Sequence, residues 1–290
     1  MNFVRVRNLI IVIFCLSWLY FVHKPIVETG LYNEEKPDVE SLTSIVIMGY
    51  DTRRYKNYEN IFREYGAMDK VLDRVVFIWN NLEQSPPNVP KDTRVPIVLW
   101  RAPRNSMNNR YNVTKFVRTE SILSIDDDVL ANEKMITRLV KTFRNNKDRL
   151  IGVPPYRTFD DSGIYKTKRE SYKCAEQNRC LCIGKTMIYH KKYADIYVND
   201  PILTDWTDVE PCEDIAMNFL IRKESGHDIM KLEGRGGKVS DMKVKDRSYP
   251  FFFWITKDSG LSGHDDWYGP EGKRSRCIRW SKEHFGNPYQ

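Results

Sequence analysis

The chain has 290 residues, 41% of them hydrophobic and 29% charged, with a formal net charge of +7. That is enough apolar material for one large domain with its own core, and too much charge for a multi-span membrane protein. The mild positive charge is spread along the chain and forms no basic block, so no nucleic-acid partner is expected.

The first address lies at the N-terminus. Residues 1–8 carry Arg5 and Arg7 and no acid, and 9–22 read LIIVIFCLSWLYFV before His23-Lys24-Pro25. The run is short for a bilayer span of about 20 residues. It is long for the apolar part of a signal peptide, and no clean cleavage site follows. It reads as a single-span signal anchor, with 1–8 cytoplasmic and the body lumenal. A cleaved signal peptide is the alternative. Both readings place the body in the secretory pathway, and the first makes it a type II protein of the Golgi or ER membrane. Residues 23–40 are polar, without helix or strand period, and read as a stem.

The body, 41–290, opens with Ser44–Met48 (SIVIM), a continuous β-branched run that suits a strand buried on both faces. Tyr58, Ile61, Phe62 and Tyr65 share one face of a helix over Tyr55–Tyr65. Arg74–Trp79 (RVVFIW), Val95–Trp100 and Ser121–Ile125 (SILSI) are the next strands, and Asn132–Phe143 is a second helix. This alternation predicts an α/β layer with a mostly parallel central sheet flanked by helices. In such sheets ligands bind beyond the carboxyl ends of the strands. There the chain places Gly49-Tyr50-Asp51, Asn80-Asn81 and Asp126-Asp127-Asp128. The organisation follows: 41–150 a nucleotide-binding half, 151–290 an acceptor half.

Three adjacent carboxylates repel one another, and a cation is the simple compensation. A hard cation such as Mn²⁺ or Mg²⁺ takes oxygen ligands and leaves positions open for diphosphate oxygens. A solvated acidic loop is the competing reading. Asn105–Arg110 (NSMNNR) offers amides and a guanidinium to ribose, base and phosphate, or is an ordinary polar loop. Glu213 and Asp214 stand where a helix would begin. They are either first-turn acids or a pair facing a reacting sugar. The glycine-punctuated stretch 258–264 followed by Lys273–Cys277 (KRSRC) lacks the context of a phosphate-binding P-loop.

Of six cysteines, Cys15 lies in the apolar run, and an oxidising lumen favours pairing among the rest. Cys174 and Cys180 bracket a polar loop, Cys182 sits in an apolar stretch as a buried thiol, and Cys212 and Cys277 are left to pair across a long loop. Asn112-Val113-Thr114 is a sequon for N-glycosylation.

The ordered set WNN (Trp79–Asn81), NSMNNR, IDDD (Ile125–Asp128), GVPPYR (Gly152–Arg157), CEDIAMNF (Cys212–Phe219) and SGLSG…KRSRC resembles the C-terminal glycosyltransferase domain of the exostosin family, over about Ser44–Pro288. The resemblance implies a GT-A glycosyltransferase fold, a retaining mechanism and a Mn²⁺-dependent UDP-sugar donor. It implies Asp128 as the metal ligand, with Asp126 and Asp127 on nucleotide and donor sugar. Asn80, Asn105, Arg110 and Arg53 would hold uridine and its phosphates. Asp214 and Glu213 would stand beside the reacting sugar, Arg274 would stabilise the leaving phosphate, and Cys212 would bridge to Cys277. The expected activity is transfer of an N-acetylhexosamine, GlcNAc first, to a glycan or glycolipid acceptor, as in heparan sulfate synthesis. Mannosyl or glucosaminyl transfer to glycosylinositol phosphoceramides is the alternative within the family. A non-catalytic lumenal sugar-binding protein and a nucleotidyltransferase are the rival classes; the latter fits the carboxylates but not the lumenal anchor. A homodimer is also expected.

Overall fold

The computed structural model describes residues 26–28, 38–154, 156–166, 179–232 and 265–289. The signal anchor at 9–22, Cys174 and the stretch 258–264 lie outside the described residues. Among the described residues no helix is long and apolar enough to cross a membrane.

Eleven strands and six α-helices alternate along the described chain. The first part carries β1 (Ile26–Glu28), β2 (Thr43–Gly49), α1 (Tyr55–Tyr65), β3 (Leu72–Trp79), β4 (Ile97–Arg101), β5 (Ser121–Asp126) and α2 (Glu133–Arg144). Then come the short strands β6 (Ile151–Gly152), β7 (Tyr156–Phe159), β8 (Tyr165–Lys166) and β9 (Leu181–Cys182), followed by β10 (Thr186–His190). The last part holds α3 (Lys191–Val198), α4 (Pro201–Val209), α5 (Glu213–Ser225), β11 (Met230–Lys231) and α6 (Lys273–Phe285).

The central sheet has eight strands in the order β1-β4-β3-β2-β5-β10-β6-β11. Its heart, β4-β3-β2-β5, is parallel, while β10 runs antiparallel to β5 and β6. β7, β8 and β9 form a small antiparallel sheet. The expected mostly parallel sheet flanked by helices is the one found.

Alternation along each strand builds two cores. Ile45, Ile47, Val75 and Phe77 face α1 and α2, whose Phe62 and Leu139 pack on them. Val46, Val76 and Ile122 face the other way, toward Tyr193, Phe219 and Ile278 of α3, α5 and α6. Residues in β2 and β3 alternate between faces with a period of two, which is why these strands read as continuous apolar runs. α2 starts where Asn132 accepts a hydrogen bond from the Met135 N–H at 2.9 Å, a side-chain N-cap.

Two segments differ from expectation. The strand expected from Val95 begins at Ile97, because Pro96 has no N–H to give the ladder; its carbonyl instead accepts from Val75. Within the expected stem, Ile26–Glu28 adds an antiparallel edge strand to β4. The open edge of β4 offers unpaired backbone groups, and two β-branched residues suit a strand.

At the amino end of β3, away from the acidic triplet, Asp73 is buried between two arginines. Arg74 Nε donates to it at 2.7 Å, and Arg118 pairs with its other oxygen. Burial alone would raise the carboxyl's pKa, but the two guanidiniums hold it below the ordinary range. A depressed folded pKa contributes stability above the ordinary aspartate value and loses it as pH falls through the folded value. Asp73→Asn is expected to lower stability by about 2–4 kcal/mol near neutrality, since it strands a half-buried Arg74. Chemical denaturation of both proteins at pH 7 and pH 3 checks this: the difference should shrink at the acid end.

Candidate active site

The parallel strands deliver their carboxyl ends to one place. Gly49 lies beside Trp79, Met48 beside Asp126, and β10 folds back so that the Asp126 N–H bonds the Lys185 carbonyl at 3.1 Å. The site grows around Arg110, which ends the 3-10 turn Met107–Arg110 and is 5% exposed. Ser106 initiates that turn by accepting from the Asn108 N–H at 3.1 Å.

One arm of the Arg110 fork donates to Asp126 at 2.8 Å. The other donates to Ser124 Oγ at 3.1 Å and to the Gly184 carbonyl at 3.0 Å. Its Nε has no hydrogen-bond acceptor, but lies 3.5 Å from Glu213. Arg110 therefore stands between the acidic triplet and the acidic pair. Asp126 holds the nearer claim on its charge. Glu213 is buried, and burial, reinforced by Asp214 beside it and only partly opposed by Arg110, raises its pKa well above the ordinary carboxylate range. Burial thus favours the neutral form of Glu213, while the Arg110 charge answers Asp126.

Asp214 is half-buried on the first turn of α5 and accepts from the Gly184 N–H at 3.0 Å. One turn on, Asn218 donates to the Asp214 carbonyl at 2.6 Å. The same amide grips the backbone of Cys182 in both directions, at 2.8 Å each. α5 is thereby locked to β9, which aims its first turn at the triplet. Gly184 sits in the middle, bonded to Asp214 on one side and Arg110 on the other. A Cβ there would lie 3.3 Å from an Arg110 nitrogen, closer than the packing allows without movement.

Asp127 turns inward. Arg54 pairs with one of its oxygens and Tyr58 donates to the other at 2.9 Å. Burial pushes its pKa up to about 6, with Arg54 opposing and Asp128 adding to the rise. Asp128 is exposed, and its charge reaches Arg54.

Arg274 opens α6 within an aromatic cage. Its guanidinium lies 5.0 Å from the Tyr165 ring, 5.4 Å from Trp267 and 5.3 Å from Tyr268. It donates to the Tyr165 hydroxyl at 3.2 Å, and the charge of Asp214 reaches it. A disulfide joins Cys212, next to Glu213, with Cys277 of α6, their Cα atoms 6.4 Å apart. Cys182 is a free buried thiol, and Cys180 is disulfide-bonded.

Of the residues named from the sequence, Asp126, Arg110, Glu213 and Asp214 are linked directly or through Gly184. Arg274 joins them through the field of Asp214. Asn80 is buried, its amide donating to the Ser106 carbonyl at 2.9 Å and its oxygen accepting from Asn109 at 2.7 Å, so it braces the 105–110 loop from within. Asn105 is exposed on that loop, and Asn112 is exposed beyond it. Arg53 is half exposed and bonds Asp51 at 2.8 Å, while its neighbour Arg54 reaches Asp127. Adjacent residues in the turn Thr52–Arg54 point different ways, and the Arg-Arg pair alone does not say which arginine faces the acid. Tyr58 reads from the sequence as core, and Ser124 and Gly184 carry no pattern that marks them. The amide four residues after Asp214 in CEDIAMN is the one signal that pointed at Asn218.

No group of three or more His, Cys, Asp or Glu side chains among the described residues is gathered to enclose a cation. The oxygen donors present suit a hard ion held by one exposed carboxylate and completed by phosphate oxygens, the usual arrangement for such ions on nucleotides.

Residues 43–288 match the model of the glycosyl transferase family 64 domain. The chain is similar to Exostosin-2 of Mus musculus, 31% identical over 208 residues, 69% of this chain and 28% of the relative. It is also similar to glucosamine inositolphosphorylceramide transferase 1 of Arabidopsis thaliana, 27% identical over 248 residues, 84% of this chain and 30% of the relative. The matched region thus spans under a third of either relative's length. The solved mannosyltransferase PcManGT from Pyrobaculum calidifontis, in complex with GDP-Man and Mn²⁺, aligns with 87% of this chain and 75% of its own at 12% identity and a TM-score of 0.46, too distant to assign any residue here. A family match that takes in almost all of the described body makes the conclusion plain: the chain belongs to glycosyl transferase family 64, with exostosins among its relatives.

Proposed function

We propose that the protein transfers an N-acetylhexosamine, GlcNAc first, from a UDP-sugar to a glycan or glycolipid acceptor with retention of configuration. The observation that carries this is Arg110, which bonds Asp126 and lies 3.5 Å from Glu213, so that the triplet and the acid pair serve one cleft.

In this reading Asp128 holds Mn²⁺, with Asp126 and Asp127 beside it on the nucleotide and donor sugar. When bound, the ion neutralises charge on the departing diphosphate. Asn105, Asn80 and Arg110, with Arg54 in place of Arg53, shape the nucleotide side. The acceptor hydroxyl attacks the anomeric carbon from the face the diphosphate leaves, the sugar–phosphate bond breaks, and a diphosphate oxygen takes the hydroxyl proton. Asp214 steadies the developing cationic sugar, with Glu213 buried beside it. Arg274, held rigid by its aromatic cage, meets the leaving phosphate. The expected setting is the lumen of the ER or Golgi, behind the apolar run at 9–22.

Transfer to glycosylinositol phosphoceramides is the second reading, favoured by the 84% of the chain that aligns with the Arabidopsis relative. UDP release measured across UDP-GlcNAc, UDP-GalNAc, UDP-Glc and GDP-Man, with glycan and inositol-phosphoceramide acceptors, separates the two. Asp128→Ala should weaken Mn²⁺-dependent UDP binding by about 100-fold or more and leave the unfolding midpoint nearly unchanged, because the side chain is exposed. Calorimetric titration of UDP with and without Mn²⁺ reads this directly. Undiminished binding in the variant, or an inverted anomer in the product NMR spectrum, sinks the proposal.

A further inference from the structure

Asp208 lies on the last turn of α4, outside the strands and outside the acid pair. Its described bonds all go to one loop of the other half. Ser106 Oγ donates to its Oδ1, Asn108 Nδ2 donates to the same oxygen at 2.8 Å, and an Arg104 nitrogen pairs with Oδ2 at 2.7 Å. The carboxylate is 22% exposed, whereas Ser106 and Asn108 are buried.

Asn108 is saturated around this contact. Its oxygen accepts from Tyr197 of α3 at 2.8 Å and Thr207 of α4 at 2.7 Å, and its amide also donates to the Thr204 carbonyl at 2.9 Å. On the far side of the loop, the Ser106 carbonyl accepts from Asn80, and Arg110 runs in between Asp126 and Glu213. The loop 104–110 is therefore gripped on both flanks, leaving Asn105 exposed at its tip. Within the next few residues the chain also bonds Glu210 to Arg276 at 2.7 Å and Cys212 to Cys277. One stretch, 208–214, thus fixes the nucleotide loop, α6 and the acid pair relative to one another.

We propose that Asp208 is a positioning residue for the donor nucleotide: its carboxylate sets the 104–108 loop so that Asn105 and Arg110 meet the nucleotide without reordering. This rests on the reading above that the loop takes the nucleotide. A carboxylate accepting from three groups of one loop holds it far more firmly than neutral bonds would. A loop ordered in advance costs the ligand less on binding. The loop touches the donor side, so its loss should appear in donor affinity and spare the chemical step.

The control sits on the same helix. Asp200 caps α4 by accepting from the Leu203 N–H at 3.0 Å and pairs with His284 at 2.8 Å, with no described bond to the loop. Asp200→Ala should destabilise α4 while leaving donor KM at the wild-type value. Asp208→Ala should raise donor KM about 10-fold, with kcat at saturating donor within about 2-fold and acceptor KM unchanged. Asp208→Asn, whose amide oxygen still accepts from Ser106 and Asn108, should raise it about 3-fold and carries the test if the alanine variant does not fold. Donor KM unchanged in both Asp208 variants, a fall in kcat without a rise in KM, or an equal rise in Asp200→Ala overturns the inference. Failure of the underlying reading looks different: the wild-type protein itself would then show no saturable dependence on any nucleotide sugar.

Discussion

Arg110→Ala should unfold the protein in part and silence it completely. The side chain is 5% exposed, and removing it leaves Asp126 and Glu213 facing each other across a gap with no positive charge between them. Breaking one partner of a buried charge pair costs about 3–5 kcal/mol, a large share of the 5–15 kcal/mol that stabilises a typical domain. Part of this is offset because burial already disfavours the charged form of Glu213. Arg110→Lys separates folding from chemistry. An ammonium keeps the charge, but it lacks the planar fork that joins Asp126 to Ser124 and Gly184. That variant should fold with most of the stability restored and still lose about 100-fold in kcat/KM, because the two acidic elements are no longer held in register. Denaturant titration beside steady-state kinetics checks both arms. A lysine variant with wild-type kcat/KM rules out the bridging role.

The strands that build this site were legible because of where they lie. β2, β3 and β5 are buried on both faces, so SIVIM, RVVFIW and SILSI read as unbroken apolar runs bounded by polar loops. The loops that follow those strands put Asp126–Asp128, Asn80 and Gly49 at the same edge of the sheet. β6, β8, β9 and β11 are two residues each, too short for any period to register. α5 is legible at its start, where Glu213 and Asp214 mark the first turn, but Ile215, Met217, Phe219 and Ile221 are buried all round it, so no single apolar face gives its full length. The contacts that finish the site were not legible at all. Gly184 earns its place only because β10 folds back along β5, and the turn Thr52–Arg54 gives Asp127 its pairing with Arg54 while Arg53 pairs with Asp51. Asp208 and Ser106 are 102 residues apart, and nothing in either neighbourhood predicts their bond.

Replacing both Cys212 and Cys277 by serine should cost activity before it costs the fold. The bridge closes a loop of 65 residues, worth about 4 kcal/mol if it acts by restricting the unfolded chain. That is a large loss, but α5 and α6 have a second attachment. Farther along the helices, Phe219 stacks with Phe285 at 6.5 Å and packs on Tyr289 at 4.8 Å, while Arg222 bonds the Pro288 carbonyl at 2.6 Å. The disulfide instead sits at the amino ends, one residue before Glu213 and three after Arg274. Without it the two helices stay packed at one end and drift at the other, where the proposed mechanism has Arg274 and Asp214 act on the same bond. Below the lowered unfolding temperature, then, the variant should keep native circular dichroism yet lose about 10–100-fold in kcat, as expected when reacting groups shift by about an ångström. The Glu210–Arg276 pair also lies near that end, but its arginine is too exposed to hold the register alone. Full kcat in the serine variant at a temperature where it remains folded means the bridge serves stability only.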